Sequence, residues 1–236
     1  MSYLLQHVRR ALLARGGQIT SASPGDEPVD DPIQLGTDAR TEAGDTPLVI
    51  TVPVGGVPAG ATILVAYFGS GGDGLSVADT RSNPYTEDLE HTDGLTRFLS
   101  IYSARVTTPL LAGDTITVTY TGHSGAKRAS ACYVPNLALT GLVDDTSAAN
   151  GNSDTPSSGD LTTTVAHTFW YAVCGYLNTS AFTPGAGFTE LSEEGASVAK
   201  LAVEHYRPGS ITTASAGGTL GAAEVWLMGA VAYKGE

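Results

Sequence analysis

The sequence predicts an all-β protein: an antiparallel β-sandwich, jelly-roll-like, preceded by a short N-terminal helix and an extended arm. Three observations predict it. Asp114 to Gly122 (DTITVTYTG) alternates strictly, with Ile116, Val118 and Tyr120 pointing one way and Thr115, Thr117, Thr119 and Thr121 the other, the period of a strand with one face on a core. Short β-favouring runs recur with turn signals between them, which 29 glycines and 12 prolines supply. Only 15% of residues are charged against 42% hydrophobic, which argues against global disorder and for a large buried core or sizeable subunit contacts.

Residues 2 to 15 (SYLLQHVRRALLAR) read as an amphipathic helix, with Leu4, Val8, Ala11 or Leu12, and Arg15 on one stripe. Ser2 is placed to cap it and Gly16-Gly17 to stop it. A helix this short is marginal alone in water, so it needs a surface, on its own domain or on a partner. His7, Arg9, Arg10 and Arg15 make it basic, with no acid among them. Residues 16 to 45 read as solvated linker: three prolines, five glycines and the acids Asp26, Glu27, Asp30, Asp31, Asp38, Glu42 and Asp45 leave little to bury. Fully extended, that stretch spans on the order of 100 Å. The acids lack the spacing of an EF-hand loop. The expected organisation is an arm over 1–45 and a β-sandwich domain over 46–236.

Within the β-region, Pro47–Pro53 alternates weakly, and Ala61–Phe68 (ATILVAYF) is almost all apolar, as a central strand is. Leu75–Thr80 and Pro84–Leu89 flank the turn Arg81-Ser82-Asn83. Leu95–Val106 has no cleanly apolar face and reads as long and bulged. Thr115–Thr121 and Arg128–Val134 follow. After a Gly/Ser/Asn/Asp loop over Asp144–Asp160 come Leu161–Val165, Thr168–Tyr176, Gly187–Ser192, Val198–Tyr206, Ile211–Ala216 and Glu224–Tyr233.

A weak echo runs through these strands. ILVAYF, NPYTEDL, RFLSIYSARV, DTITVTYTG and RASACYV are followed in the same order by FWYAVCGY, AGFTELSEE, AKLAVEHYR, SITTASAGG and VWLMGAVAY. Tyr85 and Phe188 are 103 residues apart, as are Phe98 and Leu201, while Ala129 and Val225 are 96 apart. Two readings fit: a duplication giving two facing sheets, or one sandwich with mild internal similarity. The second is the expectation carried forward. The period is too long, and repeated too few times, for a solenoid or propeller.

Charge and composition narrow the function classes. A net charge of −12 opposes sequence-nonspecific nucleic-acid binding and suits a basic partner. No long apolar stretch follows Leu4-Leu5, so no secretory signal is read, and no run reaches transmembrane length. Assembly in a cytoplasm is expected. Cys132 and Cys174 each sit in an apolar run and read as buried, reduced thiols; their pairing is open.

Candidate chemistry is thin. Gly122-His123-Ser124-Gly125-Ala126 resembles a hydrolase elbow, but a strand follows it where that motif needs a helix, so it reads as a hairpin turn. The histidines His7, His91, His123, His167 and His205 have no metal-ligand spacing. Gly69–Gly74 lacks the lysine and helix of a phosphate-binding loop and reads as a loop tip. Asp144-Asp145 suits loop turns. Trp170 and Trp226 read as core, the alternative being an aromatic platform for glycans. No cofactor, metal site or enzymatic activity is expected.

Several phrases, VPAGATILVAYF, LLAGDTITVTYTG, PNLALTGLVDDTSAANGNSDTPSSGDLTTTV, TPGAGFTEL and VWLMGAVAYK, resemble β-sandwich virion proteins of tailed bacteriophages, especially those of actinobacterial hosts; similar modules occur in bacterial surface and secreted proteins. The resemblance covers roughly 47–236 and contains no site motif. It implies a capsid decoration (cement) protein or a minor tail protein of the virion, with major capsid or other virion subunits as partners and a homo-oligomeric state. Leu4, Leu5, Val8, Arg9, Arg10, Leu12 and Arg15 are the residues expected to dock the arm. A glycan-binding module on the host surface is the alternative, and neither nucleic acid nor membrane is an expected partner.

Overall fold

Strict alternation and all-apolar runs both produce strands here, and the two patterns mark different layers. The computed structural model describes residues 28–40, 44–70, 73–122, 125–177, 180–195 and 199–236. It is all-β and β-sandwich-like, with antiparallel sheets throughout and no helix among the described residues. The expected helix over 2–15 lies outside them.

The first half contributes β1 (Ile33–Arg40), β2 (Leu48–Thr51), β3 (Thr62–Ser70), β4 (Asp73–Asp79), β5 (Tyr85–Thr92), β6 (Arg97–Arg105), β7 (Thr115–Thr121) and β8 (Lys127–Val134). The second contributes β9 (Val143–Ser153), β10 (Ser157–Thr162), β11 (Thr168–Tyr176), β12 (Phe182–Pro184), β13 (Thr189–Glu194), β14 (Lys200–Tyr206), β15 (Thr213–Leu220) and β16 (Glu224–Lys234). A five-stranded inner sheet, β1-β8-β3-β6-β5, is covered by a three-stranded outer sheet, β2-β7-β4. The second half repeats this strand for strand: β9-β16-β11-β14-β13 inside and β10-β15-β12 outside. The two halves are therefore equivalent units in tandem, and the expectation of one sandwich with mild internal similarity gives way to the duplication.

Registers support the equivalence. Pairing slips between Glu87 and Leu89 on β5 and between Glu190 and Ser192 on β13, so each unit has a bulge at the same place. Glu87 pairs with Tyr102, and Glu190 with Glu204. The Tyr85–Phe188 spacing of 103 thus holds along the fifth strand, while the sixth strand is offset by 102. Counting on through the eighth strand matches Ala129 with Met228 rather than Val225. The bulge expected in Leu95–Val106 lies instead on its neighbour β5. The β6 strand has no cleanly apolar face because both of its faces are buried.

The inner sheets face each other. β1 lies by β13, β8 by β14, β6 by β16, and β5 by β9 and β16, with β3 over β11 in the middle. Between them Leu64, Phe68, Ile101, Val134, Tyr171, Val173, Leu227 and Val231 form the central core. Each outer sheet closes a further core. In the first unit Leu48, Ile50, Ile116, Val118 and Tyr120 pack on Ile63, Val65 and Ala131. In the second Leu161, Ala216 and Leu220 pack on Trp170, Tyr176, Trp226 and Met228. The strand β7 supplies Ile116, Val118 and Tyr120 to the first unit's core, whereas its counterpart β15 supplies mainly small residues and the second unit's bulk comes from Trp170, Tyr176 and Trp226 on the inner sheet.

Symmetry breaks where the inner sheets touch. Phe68 pairs with Leu99 and Gly175 with Leu201, so Phe68 and Gly175 are equivalent positions. They also meet: a Cβ on Gly175 would lie 2.1 Å from Phe68 Cδ2. Two equivalent residues facing each other at such a contact cannot both be large.

Three further expectations are corrected. Residues 33–40, read as linker, form β1: Leu35 enters the first unit's core, and Asp38 accepts from the Val49 amide at 2.7 Å instead of pointing into water. Asp144–Asp160, read as a loop, holds most of β9 and the start of β10. β9 pairs along its length with β16 but is a half-exposed edge, so its polar composition hides a strand held by backbone bonds. The stretch after Thr121 is no hairpin, since β7 is in an outer sheet and β8 in an inner one.

Candidate functional site

The described chain begins at the end of the body where β3 and β11 start. Asn136, just past β8, accepts from the Asp30 amide at 2.8 Å and donates to the Pro28 carbonyl at 2.9 Å. Arg207, just past β14, donates to the Val29 carbonyl at 3.0 Å and pairs with Asp31 at 2.5 Å. Val29 itself is buried in the core between the units. The root of the N-terminal segment is therefore held by both units at their seam. The C-terminus ends there too: the Glu236 amide donates to the Asn136 carbonyl, and Arg105 reaches Glu236 at 3.4 Å. Leu4, Leu5, Val8, Arg9, Arg10, Leu12 and Arg15, expected to dock the arm, lie outside the described residues.

His205 sits beneath this root, stacked on Phe169 with ring centroids 5.6 Å apart. Burial pushes its imidazole down and so favours the neutral ring, and the Arg207 guanidinium adds to the effect against the opposing pull of Asp31.

Charge on the body is one-sided. Arg40, Arg81, Arg97, Arg105, Lys200, Arg207 and Lys234 each pair with an acid. Lys127 and Arg128 are buried; Lys127 donates to the Gly44 carbonyl over the Tyr120 ring, and Arg128 donates to the carbonyls of Ala199 and Arg40. Every cation among the described residues is thus matched, and the unmatched charge of the body is acidic.

The other sequence candidates are scattered. His91 meets Asn150 at 3.1 Å, His205 is in the core, and His7, His123 and Ser124 lie outside the described residues. No group of His, Cys, Asp and Glu suited to a metal ion is found among the described residues. Trp170 and Trp226 are both buried, with indole N–H groups on Thr168 and Ser153, so neither forms a surface platform. Cys132 and Cys174 are free and buried in different cores, and burial pushes both thiols up. Asp144 and Asp145, expected to make loop turns, lie in β9 instead and accept from the amides of Thr164 and Thr162, 20 and 17 residues away.

One group escaped the reading of motifs. Glu204 on β14 is 1% exposed, and neither carboxyl oxygen has a partner in hydrogen-bonding geometry. Its signal was available: it alternates with Ala202 in a strand whose neighbours are apolar. Comparison of the chain with protein-family models, with curated proteins and with solved structures gives no match.

Proposed function

We propose that this chain is a non-enzymatic bacteriophage virion structural protein, a capsid decoration (minor capsid) protein held to the particle by its N-terminal arm. The observation that carries the proposal is the clamped root. Pro28–Asp31 is pinned across the seam of a two-unit body, so a segment docking elsewhere transmits its hold to both units at once. The first 15 residues of the arm are basic, at Arg9, Arg10 and Arg15, and the body has no unmatched cation among its described residues. The arm is thus chemically distinct from the body it is joined to, and suits an acidic or apolar groove on another subunit.

The fold is consistent with that role. In each unit the strand order, β1-β8-β3-β6 against β2-β7-β4 and its repeat, is that of a jelly roll whose fifth strand has joined the sheet of the sixth. Jelly rolls build viral capsid proteins, and also lectins and cupins, so the order supports the proposal without specifying it. Docking of the arm would bury interface area on neighbouring subunits.

Labelled protein imaged on virions tests this directly. Label on the head supports a decoration protein. Label confined to the tail supports a minor tail protein in its place, and absence from the particle refutes both.

A further inference from the structure

Glu204 stands under the small-residue stretch of the second unit's outer sheet. Alternation along β14 turns Ala202 and Glu204 away from the central core, toward the outer sheet β10-β15-β12. That sheet meets it with β15, TASAGGTL, whose inward positions are Ala214, Ala216, Gly218 and, at its end, Leu220. The Gly185 amide donates to the Gly217 carbonyl at 2.7 Å, and a Cβ on Gly218 would lie 2.4 Å from the Thr183 carbonyl oxygen and 2.5 Å from the Phe182 ring, so over Glu204 the sheet approaches by backbone, with its large side chains, Leu161, Phe182 and Leu220, placed to the sides. The first unit's outer sheet, by contrast, seats five large residues, Leu48, Ile50, Ile116, Val118 and Tyr120.

The groups facing Glu204 offer no cation. Glu190 on β13 is directly opposite it in register, with Glu193 three residues further along. Lys200 is bonded to Glu193 at 3.0 Å, and Glu193 also takes the Tyr176 hydroxyl and the Phe182 amide. From β11 come Ala172, opposite in register, and Cys174; from β14, Tyr206. Glu224 on β16 shares this face farther along and is bonded to Ser180. β12 and β15 contribute no titratable side chain, and Asp160 on β10 is exposed. A carboxylate here would be a buried anion beside another acid, without a partner.

We propose that Glu204 is a pH latch: protonated, it lets the outer sheet β10-β15-β12 seat on the second unit, and its ionisation unseats that sheet while the central core and the first unit stay closed. Burial is the main cause. The Gly185 and Gly217 amides lie near enough to oppose it without completing a hydrogen bond, and Glu190 reinforces it. Together they push the carboxyl up to about 8, just above neutral pH.

The chain has its own reporter. Its only two tryptophans, Trp170 and Trp226, both lie in the core that this sheet closes. Tryptophan emission of the full chain, followed from about pH 6 to 9.5, should shift to the red with a midpoint near 8. Hydrogen exchange should rise in peptides over 157–162, 182–184 and 213–220 and stay unchanged over 62–70. Glu204→Gln should abolish the shift. Glu190→Gln should move its midpoint to lower pH, because it removes a charge that favours the protonated acid. An emission constant over this range, a shift that persists in Glu204→Gln, or equal loosening over 62–70 overturns the proposal. If Glu204→Gln does not fold, an unchanged midpoint in Glu190→Gln overturns it.

Discussion

Replacing Gly175 by alanine tests the packing of the two units on each other. In a strand interior, Gly→Ala ordinarily stabilises by roughly 0.5–1 kcal/mol, because glycine loses more backbone freedom on folding. Here the new Cβ would lie 2.1 Å from Phe68 Cδ2 and 2.2 Å from Cγ, against a fully buried ring. The ring must move inside a filled core, which costs about 1–3 kcal/mol or more. The overpacking wins, and Gly175→Ala should destabilise by at least about 1 kcal/mol net. Phe68→Ala alone should cost about 3–5 kcal/mol. The double variant should cost less than the two together, with a coupling of more than about 1 kcal/mol, because shortening Phe68 frees the space that the added methyl group needs. Exchanging the two residues, Phe68→Gly with Gly175→Phe, should recover part of the loss, since the positions are equivalent in the two units. Urea unfolding at about pH 6, read by tryptophan emission and far-ultraviolet circular dichroism, measures all four. A stabilised Gly175→Ala, or strictly additive variants, would refute the facing of the two inner sheets at this contact.

Further outcomes follow from other residues. Glu204 holds its proton in the folded chain up to about 8 but releases it near 4.5 when unfolded, so stability should fall as pH rises through that window, by at most about 5 kcal/mol, and Glu204→Gln should flatten the slope in pH-dependent urea titrations. Asn83 is buried and ties the β4–β5 and β6–β7 loops, donating to Asp79 and the Thr108 carbonyl and accepting from the Thr107 and Thr108 amides, so Asn83→Ala should cost about 2–3 kcal/mol in the same assay. Arg207→Ala together with Asn136→Ala should raise hydrogen exchange over 28–31 several-fold while leaving β3 and β11 protected. Cys132 and Cys174 should resist a thiol reagent in the native protein and react only on unfolding, since both are buried and their thiolates disfavoured.

Legibility followed burial. The opening strand Thr115–Thr121 was readable because its Ile/Val/Tyr face enters a core and its threonine face does not, and β3 and β11 were readable because both of their faces are buried. The edge strands β1 and β9 were not. Their residues are half exposed, and the backbone pairing that fixes them with β8 and β16 leaves no mark in side-chain pattern. The echo of the first half in the second was visible in words such as YTEDL and FTEL. Its meaning was obscured because the second unit has small residues along most of β15 and large ones at Trp170, Tyr176 and Trp226, which changes which strand looks like a strand. The shared bulge at Asp88 and Leu191 was beyond sequence reading, since it depends on register. Of the candidate site, the acids of the root were taken as solvated; Asp31 is indeed exposed, but it also pairs with an arginine 176 positions away, a partner that only the tandem arrangement brings near.

The measurement closest to the functional claim is cosedimentation of the full chain, and of residues 28–236, with capsids assembled without the protein. Both should be folded by circular dichroism, since the root and every strand are retained. The account predicts that the full chain pellets with the capsids to saturation and the truncated chain stays in solution. Saturating binding by residues 28–236 would contradict it.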